Sequence, residues 1–214
     1  MEGQPWPALL LPWLVAIALS VEPARLDLLY REVPEEFWVV GSKIGFAVSL
    51  ITYLRFYGVR TLAAYYGLSL IGASAVGLAS ALGLMGQGDF LAVLALSLTI
   101  PAPFPGSALP PIYLVIIIAS IAEVTARALI ALRTCGSLRC VGGAEVTCER
   151  LIAELRWWFP VGADFTSDVP SEAAVRACQG GRGSVKAQPG LPYVTFILLA
   201  LPLALVVDAL IRVP

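Results

Sequence analysis

Two carboxylates stand where this chain passes from apolar to polar. Asp89 closes Gly86-Gln87-Gly88-Asp89, between one apolar run and the next. Asp27 opens Asp27-Leu28-Leu29-Tyr30-Arg31-Glu32-Val33-Pro34, just past the first apolar run. A carboxylate at the edge of a membrane span is costly to desolvate, which makes it a functional-site candidate. Two of them at one place could share a single proton. One carboxyl would then act as acid and the other as base, the chemistry by which a water molecule is activated against a peptide carbonyl. Glycine at 86 and 88 suits such a site, because it permits positive φ and close backbone approach where a helix must break and meet an extended substrate. A bland reading fits the same residues: a glycine-rich turn whose aspartate caps the next helix, and an interfacial Asp27 paired with Arg25 or Arg31.

The elements that would position these residues follow from hydropathy. A bilayer core needs roughly 20 apolar residues per helix. The candidates are Trp6–Val21, Phe37–Phe56, Thr61–Met85, the short Phe90–Ile100 stopped by Pro101, Pro103 and Pro105, Pro111–Leu132, and Leu191–Ile211. The third is rich in Gly, Ala and Ser, which lets helices approach closely. The expected fold class is therefore an all-α membrane protein with six transmembrane helices. Residues 1–132 form helices one to five, 133–190 a cytoplasmic insertion, and 191–214 helix six. Pro34 fits the start of the second helix, and Trp38 suits a membrane interface.

Basic residues set the orientation. Arg25 and Arg31 follow the first span, and Arg133, Arg139, Arg150, Arg156, Arg176, Arg182 and Lys186 lie in the insertion, against Arg55, Arg60 and Arg212 on the opposite side. The N-terminus is expected outside, in a multi-pass plasma-membrane protein. The first span lacks the basic flank of a cleavable signal peptide. Two crossings separate Asp27 from Asp89, so both face the cytoplasm. An odd number of crossings would have separated them.

Composition closes other routes. The chain has 214 residues, 58% hydrophobic and 14% charged, and a net charge of −1, with a mean hydropathy of +0.84. Average soluble domains carry about 25% charged residues. The balance argues against a nucleic-acid partner. With no histidine, Ser-His-Asp triads, Cys-His pairs and His-based metal sites are excluded together. Asparagine is absent and methionine occurs twice, a thermophile-like bias.

The motifs resemble those of the type IV prepilin peptidase family, most of all its archaeal preflagellin and prepilin peptidase branch. That family carries an Asp followed by a basic, turn-like segment ending in Ile/Val-Pro, and later a Gly-x-Gly-Asp. Here these are Asp27 through Arg31-Glu32-Val33-Pro34, and Gly86-Gln87-Gly88-Asp89. Pro189-Gly190-Leu191-Pro192-Tyr193 is similar to the Pro-Gly-Ile-Pro-Phe element of archaeal members. The resemblance covers spans one to four and span six. It implies an intramembrane aspartyl protease with Asp27 and Asp89 as its catalytic pair, supported by Gly86, Gly88 and Pro34. It implies no cofactor and no metal. The implied partners are the lipid bilayer and membrane-anchored precursors, whose basic leader is cut from a hydrophobic helix. The chain departs from the family in placing Phe90 and Leu91 where many members have an aliphatic residue and lysine, and Glu35 where Asn is common. It also lacks the cysteine-bearing N-terminal loop of bacterial members, so no methyltransferase activity is expected.

Glu22, Glu32, Glu35 and Glu36 crowd the end of the first two spans. They form either a solvated face or, for Glu32, Glu35 and Glu36, a docking surface for a basic leader. Glu123 and Arg127 have ion-pair spacing in span five, and Asp208 is expected at the interface. Cys135, Cys140, Cys148 and Cys178 lack the spacing of a strong zinc motif and stand as free thiols or disulfides, with a four-cysteine metal site third. Glu145–Phe159 reads as an amphipathic helix and Arg176–Gly190 as a mobile loop. The rival functions are a small ion- or proton-coupled transporter, whose carboxylates would lie at mid-bilayer in an inverted repeat, and a membrane-complex scaffold.

Overall fold

The computed structural model describes residues 6–82, 85–105, 109–154, 157–162, 170–179 and 183–210. Leu155, Arg156, Gly180, Gly181, Arg182, Ile211 and Arg212 lie outside the described residues. Five helices precede the insertion: α1 (Trp6–Tyr30), α2 (Glu35–Tyr53), α3 (Val59–Ala81), α4 (Gln87–Thr99) and α5 (Pro111–Cys135). The insertion holds a 3-10 turn (Leu138–Gly142), β1 (Ala144–Thr147), α6 (Cys148–Ala153), β2 (Trp158–Pro160), α7 (Pro170–Cys178) and β3 (Ser184–Pro189). The last helix is α8 (Tyr193–Leu210).

Four helices are long and apolar enough to cross a bilayer: α1, α3, α5 and α8. In α5 only 17% of the apolar window is buried. Exposed Ile117, Ile121 and Val124, with Leu14 on α1, Ile71 on α3 and Leu203 on α8, form an apolar exterior that a soluble fold would hide. The 19-residue α2 carries Glu35, Glu36 and Lys43, and α4 has 13 residues.

The shortest helix of the bundle is the most central. α4 packs against α2 and α3, and also touches α1, α5 and α8. Its Ala92, Val93, Leu96 and the following Ile100 are buried. Small residues let its neighbours close in. A Cβ added at Gly45 of α2 would overlap the Thr99 side chain, and one at Gly77 of α3 would press on the Phe90 ring. The proline-rich segment after α4 folds back into the bundle, where Phe104 stacks on Trp13 at 6.2 Å and donates its backbone N–H to Asp208 Oδ2 at 3.1 Å.

Several expectations are corrected. α1 continues through Tyr30, so Asp27 lies inside the helix rather than past it. The exposed Glu22–Arg25 pair, at 2.8 Å, lets a charged turn extend an apolar helix. Trp38 and Asp208 are buried within the bundle. The insertion is not all-α: β1, β3 and β2 form an antiparallel sheet in that order. It occupies parts of both the expected amphipathic helix, of which only Cys148–Ala153 is helical, and the expected loop. Val146, Leu151, Trp158, Ala174 and Ala187 make its core. Cys148 and Cys178 form a disulfide between the start of α6 and the end of α7, and Cys140 is also disulfide-bonded. Among the described residues no cluster could hold a metal ion.

Gly45→Ala is expected to destabilise the bundle by about 1–3 kcal/mol through overpacking at the α2–α4 crossing. Thermal unfolding in detergent measures this, and adding Thr99→Ala should recover part of the loss.

Candidate active site

Asp89 is built by the start of α4. Gly86 is the N-cap, with φ −71 and ψ 151, and Asp89 is the third helical residue. Its Oδ2 reaches back to accept the Gly86 N–H at 3.0 Å. This satisfies a donor ahead of the first turn and sets a carboxylate at the positive end of the α4 dipole. Gly86 and Gly88 are both half-buried, and neither is among the glycines with positive φ. At Gly88 an added Cβ would meet no atom within 4 Å. The glycine here is therefore not forced by backbone strain or by the fold's own packing, and it leaves room beside the carboxylate.

Asp27 is built by two helices. It sits one turn from the end of α1 and is 8% exposed. Its Oδ2 accepts the Val194 N–H at 3.0 Å, and the Thr195 N–H also points to this carboxylate. One residue turn earlier on α1, the Ala24 carbonyl accepts the Thr195 hydroxyl at 3.1 Å. Asp27 thus caps α8 from another helix. The Pro189-Gly190-Leu191-Pro192-Tyr193 element fixes where α8 begins: Gly190 donates to the Trp157 carbonyl at 3.1 Å, and a Cβ there would fall 2.9 Å from Phe159 Cβ.

The two carboxylates meet in one electrostatic cluster. Asp27 acts on Asp89, and Arg31 and Glu123 act on both. Glu123 is paired with Arg127 across one turn of α5, with Nε 3.0 Å from the carboxylate. Tyr193, within reach of Asp89 and Glu123, shares a hydrogen bond of 3.2 Å with Ser120. Arg31 lies beyond the end of α1. Burial works against its charge, and the carboxylates of Asp27 and Asp89 favour it.

The remaining predicted residues form the rim. Pro34 is the N-cap of α2 and is exposed, as are Glu32, Glu35 and Glu36. Glu35 accepts a hydrogen bond of 3.3 Å from Gln87, which joins the acidic rim to the Gly-x-Gly-Asp turn. Glu22 is engaged with Arg25 instead. Sequence reasoning placed Arg31 as a turn residue or a partner of Asp27 and Glu123 as the partner of Arg127, did not join either to Asp89, and missed Tyr193. The signals were present: Arg31 falls four residues after Asp27, and Glu123 is an acid within an apolar run.

Comparison with protein-family models, curated proteins and solved structures finds no match to this chain.

Asp27→Asn keeps an acceptor oxygen for the start of α8 and should unfold within about 1 kcal/mol of the parent. Asp27→Leu leaves the Val194 and Thr195 donors buried without it and should cost about 1–3 kcal/mol. Thermal unfolding of the two variants side by side tests the capping role.

Proposed function

We propose that this chain is an intramembrane aspartyl endopeptidase. Its substrates would be type IV pilin-like or archaellin-like precursors, from which it removes the basic leader. The observation that carries the reading is that Asp27 at the end of α1 acts electrostatically on Asp89 at the start of α4, helices that pack against each other, with Arg31 and Glu123 acting on both. The sequence motifs around them support it.

In this mechanism the pair carries one proton. The ionised carboxylate takes a proton from water, which attacks the scissile carbonyl, and the protonated carboxyl donates to the carbonyl oxygen. A proton then passes to the leaving amine. The pair titrates as a unit, so the acid and base are roles of the pair. The caps at Gly86 and Val194 hold the carboxylates before substrate arrives, which reduces reorganisation during the reaction. The open volume beside Gly88 suits an extended substrate backbone.

The same reading assigns six crossings, with the N-terminus outside and the site at the cytoplasmic face. α2 has its acidic residues in its first turn, where they can remain in the interface. α4, at about 20 Å, would reach only part of the way across, and the segment after it would complete the crossing. A disulfide in a cytoplasmic insertion is a thermophile trait, in line with the absence of asparagine. Glu32, Glu35 and Glu36 would meet the basic leader, and Gln87 would tie that surface to the catalytic turn.

Purified protein mixed with a precursor bearing a basic leader should yield a product shortened by the leader's mass, and both Asp27→Asn and Asp89→Asn should abolish it. Full cleavage by either variant would sink the mechanism. Replacing both Glu35 and Glu36 with Gln should raise KM at low salt and leave kcat near the parent value. An unchanged KM would remove the docking surface while leaving the catalytic assignment intact.

A further inference from the structure

Arg31 is out of place as an ordinary helix-ending residue. Its N–H donates to the Asp27 carbonyl at 3.1 Å, closing the last turn of α1. Its φ is +62, and it is the one positive-φ residue other than glycine among the described residues. That position favours Gly or Asn, because an L side chain is strained there. Strain held at one residue is a reason to ask what the side chain does.

The guanidinium turns inward. Nη1 is buried and makes no hydrogen bond, so it does not serve the free carbonyls at the end of α1. One Nη lies 3.6 Å from where a Cβ of Gly190 would stand, in the element that leads to Val194. Among the described residues no carboxylate forms an ion pair with it within 4.0 Å, yet Asp27 and Asp89 both act on it. Arg31 is a buried cation on which both acids act and which is ion-paired to neither.

The charge count then gives it a role. The groups facing the pair are Arg31 beyond α1, Glu123 and Arg127 on α5, and Tyr193 on α8, with Glu35 at the rim. Glu123 and Arg127 neutralise each other, Glu35 is exposed to solvent outside the enclosed cluster, and the tyrosine is uncharged. Arg31 is left against Asp27 and Asp89. Enclosed net charge is unfavourable. The cluster is neutral only when the two aspartates together carry one negative charge, the state that holds both an acid and a base. Without Arg31 neutrality would require both to be protonated, and no base would remain.

We propose that Arg31 is a positioning residue that holds the Asp27–Asp89 pair at a single negative charge. The proposal rests on the endopeptidase reading and adds a specific group to it. The test compares Arg31→Lys, Arg31→Met and Arg31→Gly with the parent in proteoliposomes, following cleavage of a basic-leader precursor across pH. In Arg31→Met and Arg31→Gly the acid limb of kcat should move up by about one pH unit or more, with kcat reduced and KM little changed. Arg31→Lys should restore most of the parent profile. Arg31→Gly releases the left-handed backbone and should melt no lower than Arg31→Met, so a loss of cleavage in it is not a loss of fold. Infrared absorption of the protonated carboxyl, assigned by its loss in Asp27→Asn and Asp89→Asn, reads the same titration without substrate. A parent-like acid limb and carboxyl titration in Arg31→Met would overturn the proposal, as would equal loss in Arg31→Lys with no shift. If instead the parent does not cleave, the endopeptidase reading falls, and the infrared titration still decides whether Arg31 sets the charge of the pair.

Discussion

The hydrogen bond from the Val194 N–H to Asp27 joins the first helix of the bundle to the last. The start of a helix has donors that the helix itself cannot satisfy. In α8 those donors are buried, so something must accept from them. A carboxylate is the strongest side-chain acceptor available, and Asp27 supplies it from α1, one of the helices against which α8 packs. The bond therefore sets the relative height of α1 and α8. The same carboxylate is one of the two candidate catalytic groups, so the fold and the site share one interaction.

Asp89 repeats the arrangement at α4, with Gly86 as the donor. A structural cap and a catalytic carboxylate are compatible because capping uses one oxygen. Oδ2 is the capping atom in both residues. Each cap fixes the orientation of its side chain beside the positive end of a helix dipole. The cap alone would explain either aspartate. What capping does not explain is why two of them, from α1 and α4, enter the same charged cluster with Arg31 and Glu123.

Sequence reading captured what local composition controls. Apolar runs located the helices α1 to α5 and α8, four of them long and apolar enough to cross a bilayer, because a helix satisfies every backbone polar group within one apolar stretch. The glycines and serines of α3 marked its close packing. Reading failed where the partner is distant. β3 pairs Ala187 with Ala144 and Pro189 with Trp158, and no local periodicity reveals those partners. Asp208 was legible only as an acid near a helix end, and the Phe104 N–H that it accepts comes from a segment 104 residues away. Arg31 was read as part of a turn motif. Its membership of the site depends on where α8 begins, which is a tertiary fact.

The insertion bears on the site through that same starting point. β3 ends at Pro189, Gly190 is held by the Trp157 carbonyl, and four residues later Val194 donates to Asp27. The sheet is therefore the platform from which α8 enters the bundle. Its stability does not come from its small core alone. The Cys148–Cys178 bridge closes a segment with a sequence separation of 30, and a loop of that length is worth roughly 3–4 kcal/mol in lost chain entropy of the unfolded state. Phe159, buried beside Gly190, extends the support to that residue, whose missing side chain leaves room for Phe159 and beyond which the Arg31 guanidinium lies. A larger residue at 190 would displace either the platform or the cation, so the glycine links the geometry of the insertion to the charge of the site.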